Sequence, residues 1–80
     1  MNNNRRKEIM NAITLMQEAL AILNVARHEE GDYYEDMPDS LQESAKGYAV
    51  EQSYGYLEDA YCGLEDVINA AFGSIGEFHA

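Results

Sequence analysis

Three side chains in this sequence carry the nitrogen and sulfur atoms that most often ligate metals or act as nucleophiles: Cys62, His28 and His79. No two of them stand at the spacing of a zinc site. We expect Cys62 to be a half-buried structural residue on the flank of a helix, and His28 to be a capping cation near a helix end. The sequence also lacks a glycine-rich phosphate loop and a Ser-His-Asp order. These observations predict a protein that is not an enzyme and holds no metal or cofactor.

Carboxylates are far more numerous, and they approximate two known metal-binding patterns. Four acids between two helical segments approximate a calcium loop: Asp32, Asp36, Asp39 and Glu43. The required order is absent, since Tyr34 occupies the third position. Three acidic pairs approximate the magnesium ligands of all-α nucleotide pyrophosphohydrolases: Glu29-Glu30, Glu58-Asp59 and Glu65-Asp66. Their spacing differs from that motif and no lysine follows to hold phosphate, so we interpret these acids as solvated.

The charge balance excludes several partner classes. The 80 residues include 15 acidic and 5 basic side chains, which gives a formal net charge of −10. Such a charge repels nucleic acids and anionic membranes, so direct binding to either is not expected. No unbroken apolar run approaches 18 residues, and the N-terminus lacks the apolar core of a signal peptide. With one cysteine and no disulfide framework, the sequence predicts a cytoplasmic protein.

Long stretches without a basic residue mark a candidate partner-binding surface. Two tyrosines accompany the acids there, and tyrosine is favoured at interface hot spots. The candidate residues are Tyr33, Tyr34, Glu35, Asp36, Asp39, Glu51, Glu58, Asp59, Glu65 and Asp66. One interpretation is an anionic interface for a basic partner protein. The other is a solvated acidic surface that keeps a small protein soluble.

Apolar periodicity predicts the elements that carry these residues. Steps of three and four predict one helix over about 4–30 and a second over about 44–72. Gly31 is expected to end the first helix, and Gly73 the second. Residues 31–43 then form an acidic loop, with one helical turn after Pro38 and a second helix that begins at Ser40 or Ser44. Residues 73–80 are a tail, from which Ile75 and Phe78 can fold back.

The predicted fold class is all-α: one domain over 1–80, an antiparallel two-helix hairpin with a coiled-coil-like seam. A second apolar stripe lies off that seam: Leu15, Ile22, Tyr48, Ala49, Tyr56, Ala60 and Val67. It predicts dimerisation into a four-helix bundle, with one unusually wide face or a covering third helix as alternatives. Gly47, Gly55 and Gly63 lie eight apart, which indicates either close backbone contact or positions where packing tolerates glycine.

The arrangement resembles a group of small acidic proteins from phages and mobile elements of Gram-positive bacteria. The resemblance covers about residues 5–72. Its elements are an Arg-rich start before Ile9, Leu20 and Leu23, the stretch Tyr34 to Pro38, Leu41-Gln42-x-Ser44 and a repeated Leu-Glu-Asp. It implies inhibitors of host defence, some of which occupy the nucleic-acid channel of CRISPR nucleases.

The leading expectation is therefore a non-enzymatic accessory that inhibits a basic, nucleic-acid-handling protein in the host cytoplasm, as a protein mimic of DNA or an anti-CRISPR protein. One alternative is a structural protein whose partner is itself. Another is a sponge for a small anionic ligand, docked at a dimer interface near Arg5, Arg6 and Lys7, which hold three of the five basic charges.

Overall fold

Three α-helices make up the described part of the chain, residues 1–76 of a computed structural model: α1 spans Asn3–Glu35, α2 spans Asp39–Gln42 and α3 spans Ala45–Ser74. These residues contain no strand, so the predicted all-α class is confirmed. The molecule measures 58 × 19 × 16 Å, with a radius of gyration of 17.6 Å. A compact chain of this length would have a radius of gyration of about 12 Å. The protein is therefore a rod.

The first helix is longer than predicted at its C-terminal end. It begins after Asn2, whose side chain accepts a hydrogen bond from the Arg5 N–H at 2.8 Å. It then passes through Gly31 and ends at Glu35, so the predicted stop at Gly31 is wrong. A glycine costs a helix interior about 1 kcal/mol relative to alanine, but here the Tyr54 ring lies against it. Consequently His28 caps no helix end, and α1 has no basic residue in its last turn.

The connection between the long helices is short and tightly packed. Pro38 precedes α2, and Ser44 is the N-cap of α3, where its side-chain oxygen accepts from the Gly47 N–H at 3.3 Å. The helical turn after Pro38 is thus confirmed, and Ser44 rather than Ser40 begins the last helix. A Cβ on Gly47 would lie 2.2 Å from the Gln42 carbonyl oxygen. Close backbone contact explains this glycine, whereas nothing lies within 4 Å of a Cβ at Gly55 or Gly63.

The two long helices pack along the predicted seam. Their contacts run in reverse order: Arg6 meets Ile75, Ile13 meets Ile68, and Arg27 meets Glu58. Ile13, Ile68 and Ile75 are the buried centre of the core, flanked by partly buried side chains: Ile9, Met16, Leu20, Leu64, Ala71 and Phe72.

The C-terminal segment begins with an ordered, buried residue. Gly73 lies inside α3, which ends at Ser74, so the predicted stop at Gly73 is wrong. Ile75 is 2 % exposed and packs into the core, which confirms that it folds back. The Arg6 guanidinium donates to its carbonyl oxygen at 2.6 Å. Phe78 lies outside the described residues.

The second apolar stripe is exposed to solvent. Leu15 and Ile22 on α1 are 65 % and 69 % exposed, and Tyr56 on α3 is 66 % exposed. The remaining members are exposed as well: Tyr48, Ala49, Ala60 and Val67. The short helix α2 does not cover them, because it packs against the start of α3.

The first long helix, α1, contains an 18-residue window with a mean hydropathy of 1.4, of which 6 % is buried in the molecule. By length and composition alone, α1 is apolar enough to cross a membrane. Scattered polar residues such as Asn11 and Gln17 interrupt the apolar runs of α1, but they leave the average hydropathy of the window high. Core helices of soluble proteins and signal sequences pass the same test, so the cytoplasmic location stays a prediction.

Candidate functional site

A cation on α1, Arg27, ties the two long helices together. The Arg27 guanidinium donates to Glu58 Oε1 at 2.9 Å and lies 3.9 Å from the centre of the Tyr61 ring. Arg27 and then Tyr54 lower the pKa of Glu58 by hydrogen bonding to its carboxylate. The bond to Glu58 in turn raises the pKa of both Arg27 and Tyr54. Glu58, proposed from sequence as a partner-binding residue, therefore has an internal partner.

The other acids of α3 form no ion pair within the described residues, although Glu51 is hydrogen-bonded to the Tyr34 hydroxyl. In residues 1–76, Arg27–Glu58 is the single ion pair. Asp59 and Asp66 are exposed and lie seven residues apart, which puts them about 10 Å apart along one edge of the helix. Glu51 and Glu65 are exposed on the neighbouring edge that also carries Glu58. The structure thus presents two rows of carboxylates on a continuous helix.

Five candidate residues that were expected in a loop belong to a helix or to a helix cap. Tyr33, Tyr34 and Glu35 belong to α1, Asp36 is its C-cap, and Asp39 is the first residue of α2. This corrects the predicted acidic loop over 31–43. The helical path is interrupted instead at Pro38, between α1 and α2. The Gln42 side-chain amide bridges this interruption by donating to the Tyr34 carbonyl oxygen at 2.9 Å.

The two tyrosines have different surroundings. Tyr33 is 48 % exposed, with the Lys46 ammonium 5.9 Å from its ring centre. Tyr34 is half-buried, and partial burial raises the pKa of its hydroxyl, which the Glu51 carboxylate raises further. Tyr34 therefore lies against α3 beside Glu51 and Tyr54, whereas Tyr33 is open to solvent.

One cleft collects three of the predicted residues. It has a volume of about 240 Å³ and lies between the end of α1 and the first half of α3. Tyr34, Glu35 and Glu51 line it together with Gly31 and Tyr54. The predicted site residues include neither Tyr54 nor Gly31, which was expected to end a helix. A helical period that continues past Gly31 is the signal that places Gly31 and Tyr34 on one face of α1.

Nine apolar residues, all but Ala26 exposed, lie on the face opposite this cleft. Glu35 and Glu51 line one cleft, so the flanks that bear them share a side of the rod. At 100° per residue, the opposite flanks also share a side. On α1 that flank carries apolar residues at steps of three and four: Ala12, Leu15, Ala19, Ile22 and Ala26. On α3 it carries Ala49, Tyr56, Ala60 and Val67. We call these nine positions the apolar face, and none of them is charged.

The basic N-terminus is partly used within the molecule. Arg6 donates to the Ile75 carbonyl oxygen. Arg6 and Lys7 line a shallow depression with Asn3, Met10 and Asn11. Arg5 is exposed, and its backbone N–H is the group capped by Asn2. Of the three cations expected to dock an anionic ligand, one is therefore engaged with the C-terminal end of α3.

Cys62 is exposed, not half-buried as predicted. It lies one residue past Tyr61, and that single step of 100° carries its side chain out of the seam. No family model, curated protein or solved structure matches this chain.

Proposed function

We propose that this chain is a non-enzymatic, protein-binding protein of the cytoplasm, an antiparallel helical hairpin that binds a basic partner through its acidic rows. The observation that carries the proposal is the exposure of Asp59, Glu65 and Asp66 on one continuous helix, without an ion-pair partner in residues 1–76. Fixed negative charge accelerates encounter with a positive surface and selects against acidic partners. The helix holds that charge in place before binding, which lowers the ordering cost of association.

A nucleic-acid-handling protein is the partner class that suits this surface. Such proteins present clustered lysine and arginine side chains to a regular array of phosphates. Carboxylates repeated at a helical period offer a second regular anionic array to the same side chains. The resemblance to small acidic phage and mobile-element proteins points in the same direction, toward inhibition of a host defence nuclease of the CRISPR type.

Reversing the acidic rows tests this function. We expect the triple variant Asp59→Lys, Glu65→Lys, Asp66→Lys to lose partner binding and to keep its helicity by circular dichroism. Glu58 stays unchanged in this variant, because reversing it would break the Arg27 ion pair. A control with the same change in net charge reverses three acids of α1: Glu18, Glu29 and Asp32.

The assay is capture from a Gram-positive lysate at low and high salt, followed by an activity measurement on the captured protein. The proposal expects a basic nucleic-acid-handling protein that wild type and the α1 control retain at low salt. High salt and the α3 variant release it, since exposed charge pairs are screened. Equal capture by both triple variants would contradict a role for these rows, and undiminished nuclease activity in the complex would contradict inhibition.

A second candidate function, self-assembly, rests on the apolar face. We propose that a second copy of the chain covers it, so that two hairpins form a four-helix bundle. The accessible surface is 5717 Å², whereas a compact monomer of 9.0 kDa would expose about 4,900 Å². The excess is roughly 800 Å², the amount that each partner buries in a standard interface. The alanines at every seventh position of α1 allow close helix approach.

Two exposed residues of α1 distinguish self-assembly from a face that stays in solvent. Ala19 lies on the apolar face, whereas Gln17 lies on the opposite side of the helix. Light scattering at tens of micromolar should give a dimer for wild type and Gln17→Glu and a monomer for Ala19→Glu. Monomeric wild type would end this candidate and leave the acidic-row proposal standing.

A further inference from the structure

The cleft between the end of α1 and the first half of α3 is built differently from the rest of the surface. Two tyrosine rings and two carboxylates line it, with a glycine as the fifth residue. A Cβ on Gly31 would lie 3.0 Å from Cε2 of the Tyr54 ring. Glycine at this position therefore leaves room for that ring beside the backbone of α1. The volume of the cleft, about 240 Å³, is sufficient for one side chain or a small amine.

The electrostatic character of the cleft is negative and uncompensated. Glu35 and Glu51 are exposed carboxylates at its rim. The two neighbouring cations are held elsewhere: Arg27 is bound to Glu58 and Tyr61, and Lys46 lies over Tyr33. The Tyr34 hydroxyl donates to Glu51 and the Tyr54 hydroxyl to Glu58, and these carboxylates help to raise the pKa of both hydroxyls. The two rings are therefore neutral phenols, whose π faces carry partial negative charge.

Rings with a negative face, combined with carboxylates, attract an organic cation. A guanidinium or alkylammonium group gains from the ring quadrupole and from charge-assisted hydrogen bonds to the carboxylates. An inorganic cation has less to bind, because residues 1–76 contain no group of three or more acidic, histidine or cysteine ligands. An anion would be repelled by Glu35 and Glu51.

We propose that this cleft binds an organic cation, and that the cation is the arginine or lysine head group of a basic partner inserted between Tyr34 and Tyr54. This deepens the proposed function and rests on it for the source of the cation. The site would act as the specific anchor of the interface, while the carboxylate rows supply long-range attraction. Arginine and tyrosine anchors that become desolvated at the centre of an interface commonly dominate binding energy.

Small probes test the cleft without any partner. Acetyl-arginine amide and tetramethylammonium are titrated into the full chain, and the tyrosine and glycine resonances are followed by NMR. We expect saturable shifts at Gly31, Tyr34 and Tyr54. The double variant Glu35→Gln, Glu51→Gln should bind at least about tenfold more weakly, as expected for the loss of two charge-assisted contacts. The double variant Glu65→Gln, Asp66→Asn removes the same two charges outside the cleft and should change the affinity by less than about twofold.

A lysine- and arginine-rich peptide distinguishes the two sources of the cation and the two proposals. If peptide binding falls in the cleft variant and in the Asp59, Glu65 and Asp66 reversal, both proposals stand. If peptide binding falls only in the triple reversal variant, and the small probes do not shift the resonances of the cleft, the cleft proposal is overturned and the proposed function survives. If the small probes bind and the peptide does not, the cleft takes a free amine and the partner-anchor role is overturned.

Discussion

Adding one methyl group at Gly47 should destabilise this protein, whereas the same change at Gly55 should stabilise it. A Cβ on Gly47 would lie 2.2 Å from the Gln42 carbonyl oxygen and 2.5 Å from the Leu41 carbonyl oxygen. Real Cβ contacts are essentially never shorter than 3.0 Å, so the backbone of α2 would have to move by at least 0.8 Å. At Gly55, a Cβ meets nothing within 4 Å.

The magnitudes follow from these two environments. Overpacking of this kind costs about 1–3 kcal/mol, and at Gly47 it also strains the Ser44 cap, whose oxygen accepts from the Gly47 N–H. Alanine in an open helix interior gains roughly 0.5–1 kcal/mol over glycine. In a domain of this size, 1 kcal/mol corresponds to a change in Tm of about 4–8 °C. We therefore expect Gly47→Ala to lower Tm and Gly55→Ala to raise it.

Circular dichroism during thermal and urea unfolding measures both variants against wild type. Chain concentration must be the same throughout, because self-association would itself raise Tm. Equal stabilisation by both alanines would refute the close approach of α2 to α3. Destabilisation at Gly55 would instead show that its surroundings are occupied, for example by a second chain.

Three further predictions concern the polar network and the core. Arg27→Met should lower the stability at neutral pH, and its difference in stability from wild type should shrink as pH falls below about 4.5. The reason is that Glu58 has a lowered pKa in the folded state and loses its ion pair on protonation. Urea unfolding across the acid range measures this difference, and a pH-independent difference would contradict the prediction. Tyr34 and Tyr54 have a raised pKa when folded, so their contribution to stability is complete below pH 10.0 and falls as pH rises through the folded values. An alkaline titration of tyrosinate absorbance should show two of the six tyrosines ionising late, and late ionisation of all six or none would count against these surroundings. Ile75→Ala should cost about 2–5 kcal/mol in urea unfolding, as for a buried core residue, and a loss below 1 kcal/mol would place this residue outside the core.

Periodicity was sufficient to predict the helices and the seam, because a heptad pattern specifies which residues face inward. It failed at Gly31 because a local propensity of about 1 kcal/mol is easily outweighed by tertiary packing. The partner that outweighs it, Tyr54, lies more than twenty residues away in the sequence. Glu58 was misplaced for a similar reason: nothing in a row of acids indicates which one faces Arg27 on the opposite helix.

The cleft shows the same boundary between what a sequence predicts and what it leaves open. Tyr34, Glu35 and Glu51 were chosen for their residue types, and each does line the cleft. Their mutual proximity depends on the register between α1 and α3, which the heptad pattern leaves free by whole turns. Register is fixed by contacts such as Arg27–Glu58 and Arg6–Ile75, and these involve particular pairs of residues that no periodicity identifies.

The buried isoleucines lie toward one end of the rod, whereas the cleft lies toward the other. Ile13, Ile68 and Ile75 join the start of α1 to the end of α3. Near the connection, packing depends on tyrosine rings, one ion pair and the α2 turn. Amide hydrogen exchange should therefore be graded along the rod, slowest beside the isoleucines and faster toward the connection, since local opening is easiest where buried apolar contacts are fewest. A ligand in the cleft would slow exchange at the fast end, so that occupancy becomes visible in the protection pattern of the whole chain.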